Sequence, residues 1–374
     1  MSRVRTPALA ILLLPLVSSA FPAQSPADAQ SLQAQNDWSG AEKIWRKLVA
    51  SQPNDFRLWA SLAIVLAHET RYPDAIAAYK KALTLKPHDK QTELNLGITY
   101  FKAGMFAEAL APLRSAVARF GDTQQTDLLL GMSLFGVRQY KPASVYLERA
   151  TAREPDNVEL QRTLAESYLY SAQYPQAMAQ FEVLLRRDPD SPVVHMLLAE
   201  AYDAENQPAK AIEEFRAALS KGDFPNGHFS LGYLLWKERR YEEAAAEFDA
   251  ELGKDPQHAQ SLTYLGDIAL TQGDKKQAED FLRRAVALHT DSHLAYLDLG
   301  ALESEEKLYE AAERDLKHSI ALDPNRADAH YRLARVYQSL GRSADADREL
   351  ALVKQLHETT RQDLLLKVSG PAKH

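Results

Sequence analysis

Three stretches of this sequence carry residue types that could do chemistry. His289 and His293 flank Asp291 in His-Thr-Asp-Ser-His, a spacing at which two imidazoles can meet on one metal ion. No third histidine stands near them in the chain, and the segment crosses a turn between periodic stretches, so a solvated loop accounts for it. Gly131-Met-Ser-Leu-Phe-Gly136 resembles a glycine-serine turn, but a nucleophilic serine of that kind sits on a strained strand-to-helix turn. Ser133 falls inside a helical pattern instead. His195, His228 and His330 recur at one position of a repeated unit where other units place an aromatic residue, and are expected as half-buried packing residues. The chain has no glycine-rich phosphate loop and no His-Glu-x-x-His or Gly-x-Ser-x-Gly pattern. It is expected not to be an enzyme, with no catalytic residues, no cofactor and no metal site.

Composition excludes further classes. There is no cysteine in 374 residues, which removes disulfides, thiolate metal sites, cysteine nucleophiles and a lipid-modified N-terminal cysteine. The formal net charge of -7 argues against nucleic acid or an anionic membrane as the main partner, since both need a basic stripe. With 45% hydrophobic and 25% charged residues the chain is ordinary for a folded protein.

Residues 1–20 read as a targeting segment. Arg3 and Arg5 precede an apolar run from Ala8 to Val17, and Ser18-Ser19-Ala20 offers small residues for cleavage. The run is about half of the roughly 20 residues needed to span a bilayer. The mature chain is therefore expected outside the cytoplasm, periplasmic or secreted, with no membrane span once the signal is removed. Residues 21–27 read as a linker.

The elements that position everything else are announced by Phe56–Pro87. Trp59, Leu62, Ala63 and Leu66 fall on one helical face, with a dent at Ala63. A second pattern opens at Pro73 with Ala75, Tyr79 and Ala82, and Pro87 stops it. The pattern returns at a fixed interval. Ala41, Ala75, Ala109, Ala143, Ala177, Ala211, Ala244, Ala278, Ala312 and Ala346 are 34 residues apart, except for a step of 33 between Ala211 and Ala244. A small residue also recurs in each first helix, among them Gly97, Gly131, Gly232 and Gly266. Small facing residues let antiparallel helices approach closely. The one irregular turn is Ser220–Gly227, and Gly104, Gly273 and Gly341 mark turns inside repeats.

At these residues the chain resembles the tetratricopeptide repeat (TPR) family, whose W-x2-L-G-x2-Y, A-x3-F and P pattern has the same period. Leu96–Gly97–Tyr100, Leu164–Ala165–Tyr168, Leu198–Ala199–Tyr202 and Leu333–Ala334–Tyr337 carry it most clearly. The resemblance implies an all-α fold, a right-handed superhelical α-solenoid of about ten helix-turn-helix repeats over residues 28–358. The first repeat is degenerate at Asp28, and residues 359–374 are expected to form a capping helix and tail, with Leu364, Leu365 and Leu366 over the last repeat.

The resemblance also implies that the first helices line a concave groove for a protein or extended peptide. Projected onto this chain, the candidate site is Phe229, Tyr233, Trp236 and Tyr264, ringed by Glu200, Asp203, Asp267 and Asp298. A second, apolar section is Leu94, Ile98, Phe101, Leu128, Met132 and Phe135. Family members that grip an acidic chaperone tail use lysines, asparagines and an arginine where this chain has Ala60, Ile64, Asn95, Gln125 and Leu129, and only Asn95 matches. The expected function is a non-enzymatic scaffold or adaptor for cell-envelope assembly, whose ligand is apolar or basic. The alternative is a structural protein that self-associates through its repeats.

Overall fold

The computed structural model of the chain describes residues 25–289 and 291–369. Among the described residues every regular element is a helix, and none is long and apolar enough to cross a membrane. The expected targeting segment and most of the linker lie outside them.

Two compact units divide the chain, one through Ser171 and one from Ala172. The first contains α1 (Pro26–Ala34), α2 (Trp38–Ser51), α3 (Phe56–His68), α4 (Tyr72–Leu85) and α5 (Lys90–Lys102). It continues with α6 (Phe106–Phe120), α7 (Gln124–Gly136), α8 (Tyr140–Arg153) and α9 (Val158–Tyr170). The second contains α10 (Tyr174–Arg187), α11 (Pro192–Ala204), α12 (Pro208–Lys221), α13 (Gly227–Lys237), α14 (Tyr241–Lys254) and α15 (Ala259–Gln272). Then come α16 (Lys275–Ala287), α17 (His293–Glu305), α18 (Tyr309–Leu322), α19 (Ala327–Ser339) and α20 (Ser343–Ser369).

Within each unit, helices pack as antiparallel pairs, and the second helix of a pair packs on the first helix of the next. The marker alanines are wholly buried, as at Ala75 and Ala143 in the first unit and Ala244 and Ala278 in the second. The dents work differently from the expected small-on-small approach. A Cβ added to Gly97 would lie 2.8 Å from Leu113 Cδ2, and one on Gly266 would lie 2.6 Å from Leu282 Cγ. Each dent thus receives the large side chain that its own second helix presents, and those leucines are 0% exposed.

The turns inside repeats are more uniform than their sequences. Asn36, Thr70, Gly104 and Arg138, and then Ala172, Asn206, Arg239, Gly273, Lys307 and Gly341, all take positive φ, from 55° to 84°. The next residue reaches back with its N–H, Arg71 to the Leu66 carbonyl at 3.0 Å and Leu308 to Glu303 at 2.8 Å. This is the six-to-one closure of a left-handed helix cap.

In several repeats the residue four before the dent ties neighbouring repeats together. Trp59 Nε1–H donates to the Pro53 carbonyl at 2.9 Å, and Gln161 Nε2 to Pro155 at 2.8 Å. His195 and His330 make the same bond through Nε2 to Pro189 and Pro324. Their Nδ1 atoms, and that of His228, lie 2.6 Å from Glu214, Glu349 and Glu247 on the following helix. These histidines are connectors as well as packing residues.

The start and the end of the array also depart from expectation. Helix α1 begins at Pro26 because Ser25 and Asp28 close a capping box. At the other end α20 runs unbroken to Ser369, since no glycine or proline interrupts it after Ser343. Among the described residues no separate capping helix follows it, and Leu364, Leu365 and Leu366 fall outside the described side chains.

Candidate binding groove

Helix α13 carries the candidate site and is built unusually. It has 11 residues where α11 has 13, because Ser220–Gly227 delivers the chain late and Asn226 enters the helix in a left-handed conformation. Asn226 provides no side-chain cap. Glu251 of α14, 4% exposed, takes that role by accepting the Phe229 N–H at 3.1 Å. Phe229 is thereby fixed at the first turn of α13.

From that anchor, Phe229, Tyr233 and Trp236 follow at helical spacing and share a face. Tyr264 of α15 closes the cluster, with ring centroids 6.0 Å from Phe229, 5.4 Å from Tyr233 and 4.8 Å from Trp236. Aromatic pairs at such separations attract beyond simple burial. Beneath them Phe248 of α14, wholly buried, meets Phe229 at 5.8 Å and stacks on Tyr264 at 5.5 Å. His258 lies 5.0 Å from Phe229. Phe229, Trp236 and Tyr264 are half-buried, whereas Tyr233 is exposed at 37%. The cluster is a wall rooted in the core, with Tyr233 as its accessible crest.

The surrounding acids take four different states. Glu200 on α11 is exposed. Asp203 is engaged by Lys237 at 2.8 Å, and the same ammonium stands 5.8 Å from the Tyr233 ring centre. Asp267 accepts the Trp236 indole N–H at 2.6 Å. Burial raises the Asp267 carboxyl above its ordinary range, and the indole hydrogen bond opposes this. Asp298 is only 8% exposed and its Oδ2 has no hydrogen-bond partner. Burial, reinforced by the negative charge of Asp267, pushes it up to about 7.

In the first unit Leu94, Ile98 and Phe101 lie on α5, and Leu128, Met132 and Phe135 on α7, all half-buried. Phe101 packs on Phe106 at 5.6 Å and Phe135 on Tyr140 at 5.5 Å, so these two rings close turns within their own repeats. Ile98 lines a concavity of about 260 Å³ with Ile64, His68, Tyr79, Asn95 and Lys102.

The sequence pattern did not point to His258, Glu251 or Lys237. A signal existed for Lys237, which stands 34 residues after Asp203 and so occupies nearly the same phase of the adjacent repeat. Glu251 had none, because its role arises only from the delayed start of α13.

Two family models, both described as tetratricopeptide repeat, match this chain. One covers residues 27–90 and 229–293, the other 66–130, 134–201, 169–228 and 304–366. No curated protein matches the sequence. Among solved structures the chain is similar to PilF of Pseudomonas aeruginosa at 20% identity and a TM-score of 0.49, over 57% of this chain and 97% of that one. The Cut9–Hcn1 hetero-tetramer of the APC/C is similar at 16% identity and a TM-score of 0.48, over 88% and 80%. PilW, a type IV pilus biogenesis factor, is similar at 24% identity and a TM-score of 0.46, over 54% and 93%.

Proposed function

Because the chain belongs to the tetratricopeptide repeat family, we propose that it is a non-enzymatic scaffold that binds a protein segment along α13 and α15. The observation that carries this reading is Tyr233, a large aromatic left in water at the crest of a cluster whose other rings are anchored. Exposed aromatics of this kind concentrate at the energetic centres of interfaces. A segment that lays an apolar side chain on Tyr233 and a cation near Asp203 and Glu200 fits its surroundings. The array would assemble partners in the cell envelope, as the positive start and apolar run of residues 1–20 support. N-terminal sequencing of the mature protein should then give Phe21.

Tyr233→Ala is the cleaner test, because Trp236 also serves as the donor to Asp267. Partners crosslinked in cells to the wild-type chain and identified by mass spectrometry should be lost from the variant, with helical content unchanged. Purified partner should bind it about 2 kcal/mol more weakly. The same partners at the same affinity would place the site elsewhere.

A further inference from the structure

Helix α17 contains an unbroken buried stretch from Ala295 to Glu303, and two carboxylates are caught in it. Asp298 is 8% exposed and Glu303 1%. Neither oxygen of Glu303 meets a hydrogen-bond donor, nor does Oδ2 of Asp298, and the Asp315 carboxyl that faces Glu303 can bond to it only when one of the two carries a proton. They are five residues apart and answer to different neighbours: the groups acting on Asp298 belong to α15 and to α19 with its capping residue Arg326, those acting on Glu303 to α16 and α18.

The nearby cations are largely committed to other acids. Asp298 feels Asp267 of α15, and Arg332, Asp328 and Arg326 from the start and body of α19. Of these Arg326 pairs with Asp328 at 3.0 Å, and Arg332 is exposed. Glu303 feels Asp315 and Arg314 of α18 and Arg283 of α16. Arg314 binds Asp315 at 2.9 Å, and Arg283 binds Glu279 at 2.7 Å while staying 3.5 Å from Glu303. The α18 imidazole, His318, lies against Tyr296. A buried carboxylate with an unpartnered oxygen and no cation committed to it is tolerated far better as the neutral acid.

We propose that α17 is a proton-operated element, held tightly in its repeat while Asp298 and Glu303 carry protons and loosened against α15, α16, α18 and α19 when they lose them. The shifts agree in sign. Burial and Asp267 hold Asp298 up at about 7, and burial with the Asp315 carboxylate raises Glu303 as well. For groups raised in the folded state, the stabilisation is complete below the ordinary carboxylate range. It falls as pH rises and is gone once pH has passed the folded value, about 7 for Asp298. The array is thus expected to be tighter in mild acid than at pH 8. The proposal rests on the burial of α17 and needs no groove ligand, although Asp298 and Asp267 also border the candidate groove.

Thermal unfolding of the full chain between pH 5 and pH 8 tests it, comparing wild type with Asp298→Asn, Glu303→Gln and the double variant. The variants keep the shape of each side chain and remove its charge. Their midpoint relative to wild type should rise with pH, by roughly 3 °C or more across the range for the double variant. A difference independent of pH, or one that falls as pH rises, overturns the proposal. Potentiometric titration gives a second readout on any single variant that folds. Wild type should release up to about one more proton per removed carboxyl between pH 6 and 8, and equal release would also overturn it.

Discussion

The indole N–H of Trp236 donates to Oδ2 of Asp267 at 2.6 Å, from α13 of one repeat to α15 of the next. The bond compensates a carboxylate that burial disfavours. Trp236→Phe keeps a ring in the wall and removes the donor, so it should lower stability by about 1–3 kcal/mol in urea unfolding. Asp267→Asn retains an acceptor oxygen and loses the charge, and should cost much less.

Filling a dent should be damaging at any repeat. Ala177 is 0% exposed, and a Cβ on Gly266 would sit 2.6 Å from Leu282. Ala177→Leu and Gly266→Ala should each lose about 1–3 kcal/mol through overpacking. In a repeat array the loss should spread to neighbouring interfaces, visible as faster hydrogen exchange in the adjacent helices.

The turn at Thr70 should be improvable. Its φ of 59° is unfavourable for a β-branched residue and easy for glycine. Thr70→Gly should raise stability by about 0.5–1 kcal/mol, the relief of strain exceeding the extra entropy of the unfolded chain. Gly104→Thr should act in the opposite direction in the same assay.

His330 connects Glu349 and the Pro324 carbonyl, at 2.6 Å and 3.0 Å. His330→Leu leaves both acceptors without a partner and should cost about 1–3 kcal/mol. His330→Gln should recover part of the loss, since Gln161 already reaches the Pro155 carbonyl from the same position. Chemical denaturation of the pair separates lost hydrogen bonds from lost packing.

Sequence periodicity revealed the helix pairs because burial of one face imposes the spacing of alanines and leucines directly. The left-handed turns were legible only at Gly104, Gly273 and Gly341. At Thr70, Arg138 and Lys307 the same conformation is enforced by packing of the flanking helices, and side-chain identity does not report it. The aromatic cluster on α13 and α15 was visible as aromatics at repeating positions. The bonds from Trp236 to Asp267 and from Lys237 to Asp203 were not, because they join neighbouring repeats and no local pattern encodes them.

Lys237 gives the groove an incumbent. Its ammonium already holds Asp203 and stands near the Tyr233 ring, so a cation arriving there does not fill a vacancy but competes with one tethered to the same scaffold. A lone ammonium would merely replace like with like and lose the tether. A planar guanidinium, which can grip the carboxylate with two bonds while stacking on the ring, offers something that the resident lysine cannot. In the binding role proposed above the groove would act as a selective exchanger, with the threshold for entry set by the side chain to be evicted.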